Sequence, residues 1–205
     1  PADNFDSYTA GDLNGGSGGT GWSGNWSADV GWDVIASEAQ SGANSIYAAQ
    51  TNSTATRTFT ADSTDGSVFT FYTKWKVSFP YVDSWALRDG ATQIVLIRYN
   101  VTLTPDAIET SNGAGFDVLI SAPTENTYYK IDVKVDYTAD TYTVQVDGGG
   151  YSAAKSFINV VTQSDTIVLY NNPSVDRQSY WDTLGPAAAV VEGRSTALSL
   201  LGVGQ

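Results

Sequence analysis

The chain has 205 residues, of which 41% are hydrophobic and 12% aromatic, enough for one domain with a sizeable core. Its 10 basic and 22 acidic residues give a net charge of −12, which argues against nucleic acid as a partner because phosphate backbones are repelled. Cys and His are both absent, so disulfides, thiolate nucleophiles and imidazole bases or ligands are excluded within this sequence. No run of about 18 apolar residues occurs, and we therefore expect no membrane insertion.

The first thirty residues combine a short strand signal with a glycine-rich stretch. Residues 3–8 predict an edge strand. Residues 11–31 contain too many glycines for a regular element, but they also contain Trp22 and Trp26. Because flexible linkers rarely contain Trp, we predict an ordered loop that these two side chains anchor by packing.

From Trp32 onward, strand signals recur every eight to fourteen residues, separated by Gly, Asn, Asp and Ser. The clearest segment is Ser67–Phe79, where period-two alternation puts aromatic and aliphatic residues on one face: Phe69, Phe71, Trp75, Val77 and Phe79. Residues 129–137 and 142–146 alternate in the same way around a turn and predict a hairpin. The pattern predicts an all-β, two-sheet antiparallel sandwich of about a dozen strands.

The last segment, residues 185–205, differs from the rest. It is apolar, with one Glu and one Arg, and its apolar side chains include Val190, Val191, Leu198, Leu200, Leu201 and Val203. We expect either that this tail lies along its own domain or frays, or that another protein subunit covers it, as in strand addition. The predicted division is a sandwich over residues 1–184 and a connecting tail over residues 185–205.

Several motifs resemble a known superfamily. The opening residues 4–8, 11–13 and 18–26, the hairpin at 129–136 and 142–148, and the closing Tyr180-Trp181-Asp182 are similar to bacterial and phage domains of the laminin G-like, concanavalin A-like lectin/glucanase superfamily. The resemblance covers residues 3–184 and implies a jelly-roll sandwich. It says little about function, because that fold carries lectins, hydrolases, lyases and structural modules.

The resemblance also implies sites that can be compared with the residues present. Glucanases of this superfamily use Glu-x-Asp-x-x-Glu on one strand, but the four Glu here (Glu38, Glu109, Glu125 and Glu192) form no such motif, and we predict that the chain is not an enzyme. A structural calcium ion often joins the first and last strands of the superfamily, which would nominate Asp3, Asp6 and Asp182 as ligands. The alternative is that these carboxylates cap turns and strand ends.

One segment contains the residue types that recognise sugars. Tyr81 and Trp85 could stack on a pyranose ring, and Asp83, Arg88 and Asp89 could form hydrogen bonds with its hydroxyls. The alternative is that Trp85 belongs to the core and Tyr81 to a turn.

Two functions are open at this point. The first, which the start at Pro1 and the apolar tail favour, is a non-catalytic exterior assembly module of a particle or filament, such as a capsid decoration, tail or surface-fibre protein. The second is a carbohydrate-binding or adhesion module that recognises surface glycans. Either function predicts an extracellular location or a place on a virion or particle surface.

Overall fold

The computed structural model describes residues 3–48, 52–76, 82–103, 105–171 and 178–186. Within them it contains fifteen strands and no helix. In chain order the strands are β1 (Gly11–Asp12), β2 (Ser27–Ala28), β3 (Trp32–Ile35), β4 (Ser45–Ala48), β5 (Ser53–Asp62), β6 (Val68–Lys76), β7 (Val82–Asp89), β8 (Thr92–Asn100), β9 (Ala107–Ser111), β10 (Phe116–Ser121), β11 (Tyr129–Asp136), β12 (Thr141–Val146), β13 (Lys155–Ser156), β14 (Ser164–Asn171) and β15 (Gln178–Pro186).

The strands form two antiparallel sheets, which confirms the predicted sandwich. The eight-stranded sheet has the order β1-β3-β4-β15-β6-β11-β12-β13, and the seven-stranded sheet has the order β10-β9-β8-β7-β14-β5-β2. In the seven-stranded sheet β14 inserts between β7 and β5, so these neighbouring strands are not consecutive in the chain. This insertion brings distant segments onto one face.

The core lies between the two sheets and is rich in aromatic rings. Phe71 on β6 stacks on Trp85 on β7 with ring centroids 4.7 Å apart, and Trp75 stacks on Tyr99 of β8 at 4.6 Å. Each stack joins one sheet to the other. The predicted alternation along β6 is therefore confirmed for Phe69, Phe71 and Trp75, all of which are buried. Residues 77–81 lie outside the described residues.

The amino-terminal segment departs from the prediction. Residues 3–8 do not form an edge strand: only Asp3 makes a bridge, with Leu184, and Phe5 has a φ of 60°. Asp3 is buried in an ion pair with Arg57, and its Oδ1 accepts a hydrogen bond from the Phe5 amide at 3.1 Å within this turn. The predicted anchoring of the glycine-rich loop is confirmed, since Trp26 is buried and Trp22 packs against Phe59 and Trp26.

Strand β15 continues to Pro186, whose backbone pairs with Phe69, two residues beyond the predicted boundary. The tail residues Val190, Val191, Leu198, Leu200, Leu201 and Val203 lie outside the described residues, and their docking stays a prediction. The described part of the chain contains no helix that could cross a membrane.

Candidate functional site

The outer face of the seven-stranded sheet carries a groove of about 400 Å³, which we call the outer groove. Four strands contribute to it: β5, β7, β8 and β14. Its lining residues are Thr54, Ser84, Ala86, Arg88, Gln93, Leu96, Arg98, Val168 and Tyr170. No carboxylate is among them.

The outer groove follows from side-chain size on β7. Because side chains alternate along a strand, Trp85 and Leu87 point into the core while Ser84 and Ala86 point outward. Two small residues on this strand leave a depression between its larger neighbours. Leu96 and Val168 stand beside Ala86, as its register partners on β8 and β14.

The register arranges the groove residues in three parallel rows that cross the strands. The central row is apolar and consists of Leu96, Ala86 and Val168. On one side of it lies a polar row formed by Arg98, Ser84, Tyr170 and Thr54. On the other side Gln93 pairs with Arg88. Successive rows are two residues apart along β7, or roughly 6.8 Å, while on β8 a register shift places Gln93 three residues from Leu96.

The first of the two arginines is held by the sheet. Arg98 Nε donates to Glu109 Oε2 at 2.8 Å, and the guanidinium lies over the Phe116 ring, 3.3 Å from its centroid. Asn100 Nδ2 donates to the same carboxylate oxygen at 2.9 Å. The charge of Arg98 is therefore balanced by Glu109, and its position is fixed from two sides.

The second arginine has no such support. Arg88 Nε is buried, and within the described residues it has no hydrogen-bond partner. The ion pairs of the described residues involve five other cationic side chains: Arg57, Lys74, Arg98, Lys130 and Lys155. Arg88 thus places an unbalanced positive charge in the groove of a chain whose net charge is −12.

A second depression of about 230 Å³ extends the outer groove across β9 and β10. It shares Gln93 and Leu96 with the groove and ends at Phe116, a half-buried aromatic residue. Tyr170, also half-buried, stands on β14 on the other side. Four inter-strand steps of roughly 4.8 Å separate β10 from β14, which gives a continuous surface about 19 Å long.

Of the four predicted sugar-binding residues that the structure describes, only one lies in the outer groove. Arg88 lines it. The prediction that Trp85 stacks on sugar is wrong, because Trp85 faces inward and is 1% exposed. Asp83 is buried on the same inward-facing register, Asp89 accepts a hydrogen bond from Gln163 Nε2 at 3.2 Å, and Tyr81 lies outside the described residues.

The sequence does carry a signal for the groove residues that were not predicted from it. Side chains on the outer face of β7 alternate with Trp85 along the strand, and two of them, Ser84 and Ala86, are small. Their partner Tyr170 could not be found in the same way, because the pairing of β7 with β14 joins segments about eighty residues apart.

The three predicted calcium ligands do not share a site in the described structure, where no group of three acidic side chains is suited to a metal ion. Asp3 is fully buried and forms an ion pair with Arg57, whose positive charge would repel a cation. Tyr8 and Trp26 also donate to Asp3 Oδ2. The residues therefore do not fit a shared calcium ion, and metal binding by this chain stays a prediction.

Asp6 and Asp182 act instead as acceptors for a loop. The backbone amide of Ala43 donates to Asp6, and the amides of Gln40 and Ser41 each donate to Asp182 Oδ2 at 2.9 Å. Burial raises the pKa of the Asp182 carboxyl above its usual range, while the amides of the loop act in the opposite direction. Both carboxylates cap turns, as the alternative reading of the sequence predicted.

No protein-family model matches this chain, and no curated protein sequence matches it. Solved structures do match. A sialidase has a TM-score of 0.61 at 11% identity, over 80% of this chain and 17% of the sialidase. The catalytic domain of a GH131 β-glucanase from Podospora anserina has a TM-score of 0.58 at 11% identity, over 90% of this chain and 93% of that domain.

A β-glucanase from Bacillus licheniformis matches at a TM-score of 0.52 and 11% identity, over 89% of this chain and 99% of the glucanase. The fold is concanavalin A-like. The resemblance seen in the sequence is thereby confirmed for the fold. The chain spans only about a sixth of the sialidase that it matches.

These matches correct one prediction. The lack of histidine and of a Glu-x-Asp-x-x-Glu strand predicts that the chain is not an enzyme. That conclusion is wrong as an inference, because the same sandwich carries catalytic glucanases at 11% identity. At this identity the likeness establishes the fold and assigns no reaction to the chain.

Proposed function

We propose that this chain binds carbohydrate in the outer groove. The observation that carries the proposal is the row pattern: an apolar row of Leu96, Ala86 and Val168 lies between rows of hydrogen-bonding side chains. A pyranose ring has the complementary arrangement, because its C–H face is apolar and its rim consists of hydroxyls. Ligand sites in general combine an apolar surface with a few convergent polar groups.

The polar rows supply donors and acceptors of several kinds. Ser84 and Thr54 have hydroxyls, Gln93 has an amide, and Arg98 is held in place by Glu109. A fixed guanidinium loses less conformational entropy on binding than a free one, which favours affinity. Tyr170 contributes a half-buried ring at the edge, and its hydroxyl donates to Asn52 Oδ1 at 3.1 Å.

The length of the surface suits a chain of sugars more than a single one. The outer groove and the adjoining depression are open and continuous across the sheet, from Tyr170 to Phe116. An aromatic side chain stands at each end. We therefore propose an oligosaccharide or polysaccharide as the ligand, and glycans outside the cell or on a particle surface are the setting that this implies.

The assembly function considered from the sequence has no comparable support among the described residues. Its main feature is the apolar tail, residues 187–205 of which are outside the described part of the chain. It stays a prediction.

A blocked groove tests the proposal. In Ala86→Trp an indole replaces the small side chain at the centre of the apolar row, and we expect affinity for a bound polysaccharide to fall at least about tenfold because the ring face is excluded. The matched control is Ala154→Trp, at an exposed position lining a depression on the eight-stranded sheet. Affinity electrophoresis and titration calorimetry against a panel of neutral and acidic polysaccharides measure the change.

A second pair of variants tests the proposal if Ala86→Trp does not fold. Tyr170→Ala removes an edge ring of the outer groove, whereas Tyr151→Ala removes an exposed ring elsewhere. We expect the former to weaken binding and the latter to leave it unchanged. No binding to any polysaccharide in the panel, or unchanged binding by both groove variants, would refute the proposal.

A further inference from the structure

We propose that the outer groove selects glycans that carry an anionic group, a carboxylate or a sulfate, and that Arg88 binds this group. The inference rests on the proposed function and names its ligand class. It comes from a guanidinium that lines the outer groove and has no ion-pair partner within the described residues.

The position of Arg88 separates it from the other cations of the chain. Its strand, β7, has β8 on one side and β14 on the other, and Arg88 is a partly buried residue near the end of that strand. Its Nε is buried without a hydrogen-bond partner in the described residues. Lys134 also lacks an ion pair there, but it is exposed and water can solvate it.

The carboxylates adjoining Arg88 in sequence and across the sheet are engaged by other groups. Asp89 accepts from Gln163 Nε2, and Asp165 accepts from the Gly90 amide at 2.8 Å and from Thr166 Oγ1 at 2.7 Å. Thr166 is the register partner of Arg88 on β14. A buried guanidinium nitrogen without a partner is costly in the free protein, and an anion that reaches it removes that cost.

The chemistry of guanidinium favours an oxyanion over a hydroxyl. Its planar donors match the two oxygens of a carboxylate, or two oxygens of a sulfate, in a bidentate geometry that a single hydroxyl cannot provide. Gln93, the register partner of Arg88 on β8, supplies an uncharged donor and acceptor beside it. No carboxylate is among the groove-lining residues, so none would contact the incoming anion directly.

The overall charge makes this selection specific to the groove. A chain with 22 acidic and 10 basic residues repels polyanions over most of its surface. The attraction between an acidic glycan and its site must therefore act at short range, through direct contact. Added salt should weaken the contact with Arg88 while it also screens the general repulsion.

The experiment compares matched ligands with the full chain. Titration calorimetry measures affinity for oligouronates (galacturonate, mannuronate and glucuronate), for the same oligosaccharides with their carboxylates reduced to hydroxymethyl groups, and for a sulfated galactan oligosaccharide. We expect an anionic ligand to bind about tenfold more tightly than its uncharged counterpart. The uronate and sulfate arms show which anion is preferred.

The variants assign the preference to a residue. Arg88→Gln should abolish the preference for the anionic ligand over its uncharged counterpart, while Lys134→Gln, which removes the same charge from the other sheet, should leave that preference unchanged. Arg88→Lys, which keeps the charge but loses the bidentate geometry, should retain an intermediate preference.

The outcomes separate this inference from the proposed function. Equal affinity for charged and uncharged ligands, or a preference that survives in Arg88→Gln, overturns the inference and leaves carbohydrate binding in place. No binding to any of the ligands overturns the proposed function itself. If Arg88→Gln does not fold, the wild-type comparison of charged with reduced ligands and the Arg88→Lys variant still decide the question.

Discussion

Removal of the Asp3 carboxylate should destabilise the protein more than removal of any exposed acidic side chain. Asp3 is fully buried, and Arg57, its ion-pair partner, is 2% exposed. Arg57 also donates from Nη2 to the Gly18 carbonyl at 2.7 Å and lies over the Trp22 ring, 4.6 Å from its centroid. In Asp3→Ala this guanidinium stays buried by its neighbours but loses its counter-charge.

The magnitude follows from that geometry. Breaking a buried ion pair by removing one partner costs about 3–5 kcal/mol, because an uncompensated charge remains. The loss here also leaves the Trp26 indole N–H without its acceptor, and it leaves the Tyr8 hydroxyl with only the Gly18 carbonyl, at 3.3 Å. For a chain of this length, 3–5 kcal/mol corresponds to a fall in Tm of about 6–20 °C.

Urea unfolding followed by tryptophan fluorescence measures the change in the free energy of unfolding. Asp33→Ala, a half-buried aspartate on β3 outside this network, is the matched control and should change stability by less than about 1 kcal/mol. The double variant Asp3→Ala/Arg57→Met should recover part of the loss, since neither charge remains. An Asp3→Ala variant as stable as its control would refute the reasoning.

Two further predictions concern the core. Trp85→Ala should lower the free energy of unfolding in urea by about 3–5 kcal/mol, because it leaves a cavity against Phe71. Trp85→Phe should fold and keep its glycan affinity. A folded Trp85→Phe that no longer binds glycan would show that Trp85 contacts the sugar. Burial raises the pKa of the Tyr8, Tyr128 and Tyr137 hydroxyls, so the unfolded chain loses these protons near pH 10 while the folded chain retains them. Stability should therefore be constant below about pH 10 and fall as the pH rises further, and a urea midpoint that does not fall between pH 9 and 11.5 would contradict this.

The strands of the sandwich could be predicted from the sequence because their pattern is local. Phe69, Phe71 and Trp75 lie two and four residues apart and so share one face, and the pairing of Ile131 with Val146 follows from a tight turn between two alternating segments. In both cases the information lies within about twenty residues. The order of the strands across each sheet depends on contacts between distant segments, and alternation does not specify it.

The candidate site could be predicted only in part for the same reason. Arg88 was among the residues singled out, but the outer groove forms only when β14 pairs with β7 and brings Val168 beside Ala86. Arg57 was missed altogether. It lies on the inward face of β5 between Ala55 and Phe59, a position that the charge of its side chain would assign to solvent unless the partner Asp3 is known.

The Nε–H resonance of Arg88 offers the most direct measurement of the central claim, that the outer groove holds the glycan. In a ¹H–¹⁵N spectrum of the arginine side chains, titration with the best-binding oligosaccharide should shift the Arg88 signal in proportion to occupancy and leave that of the buried Arg57 unchanged. Saturating ligand that shifts neither Arg88 nor Arg98, while backbone signals move elsewhere on the protein, would contradict the account.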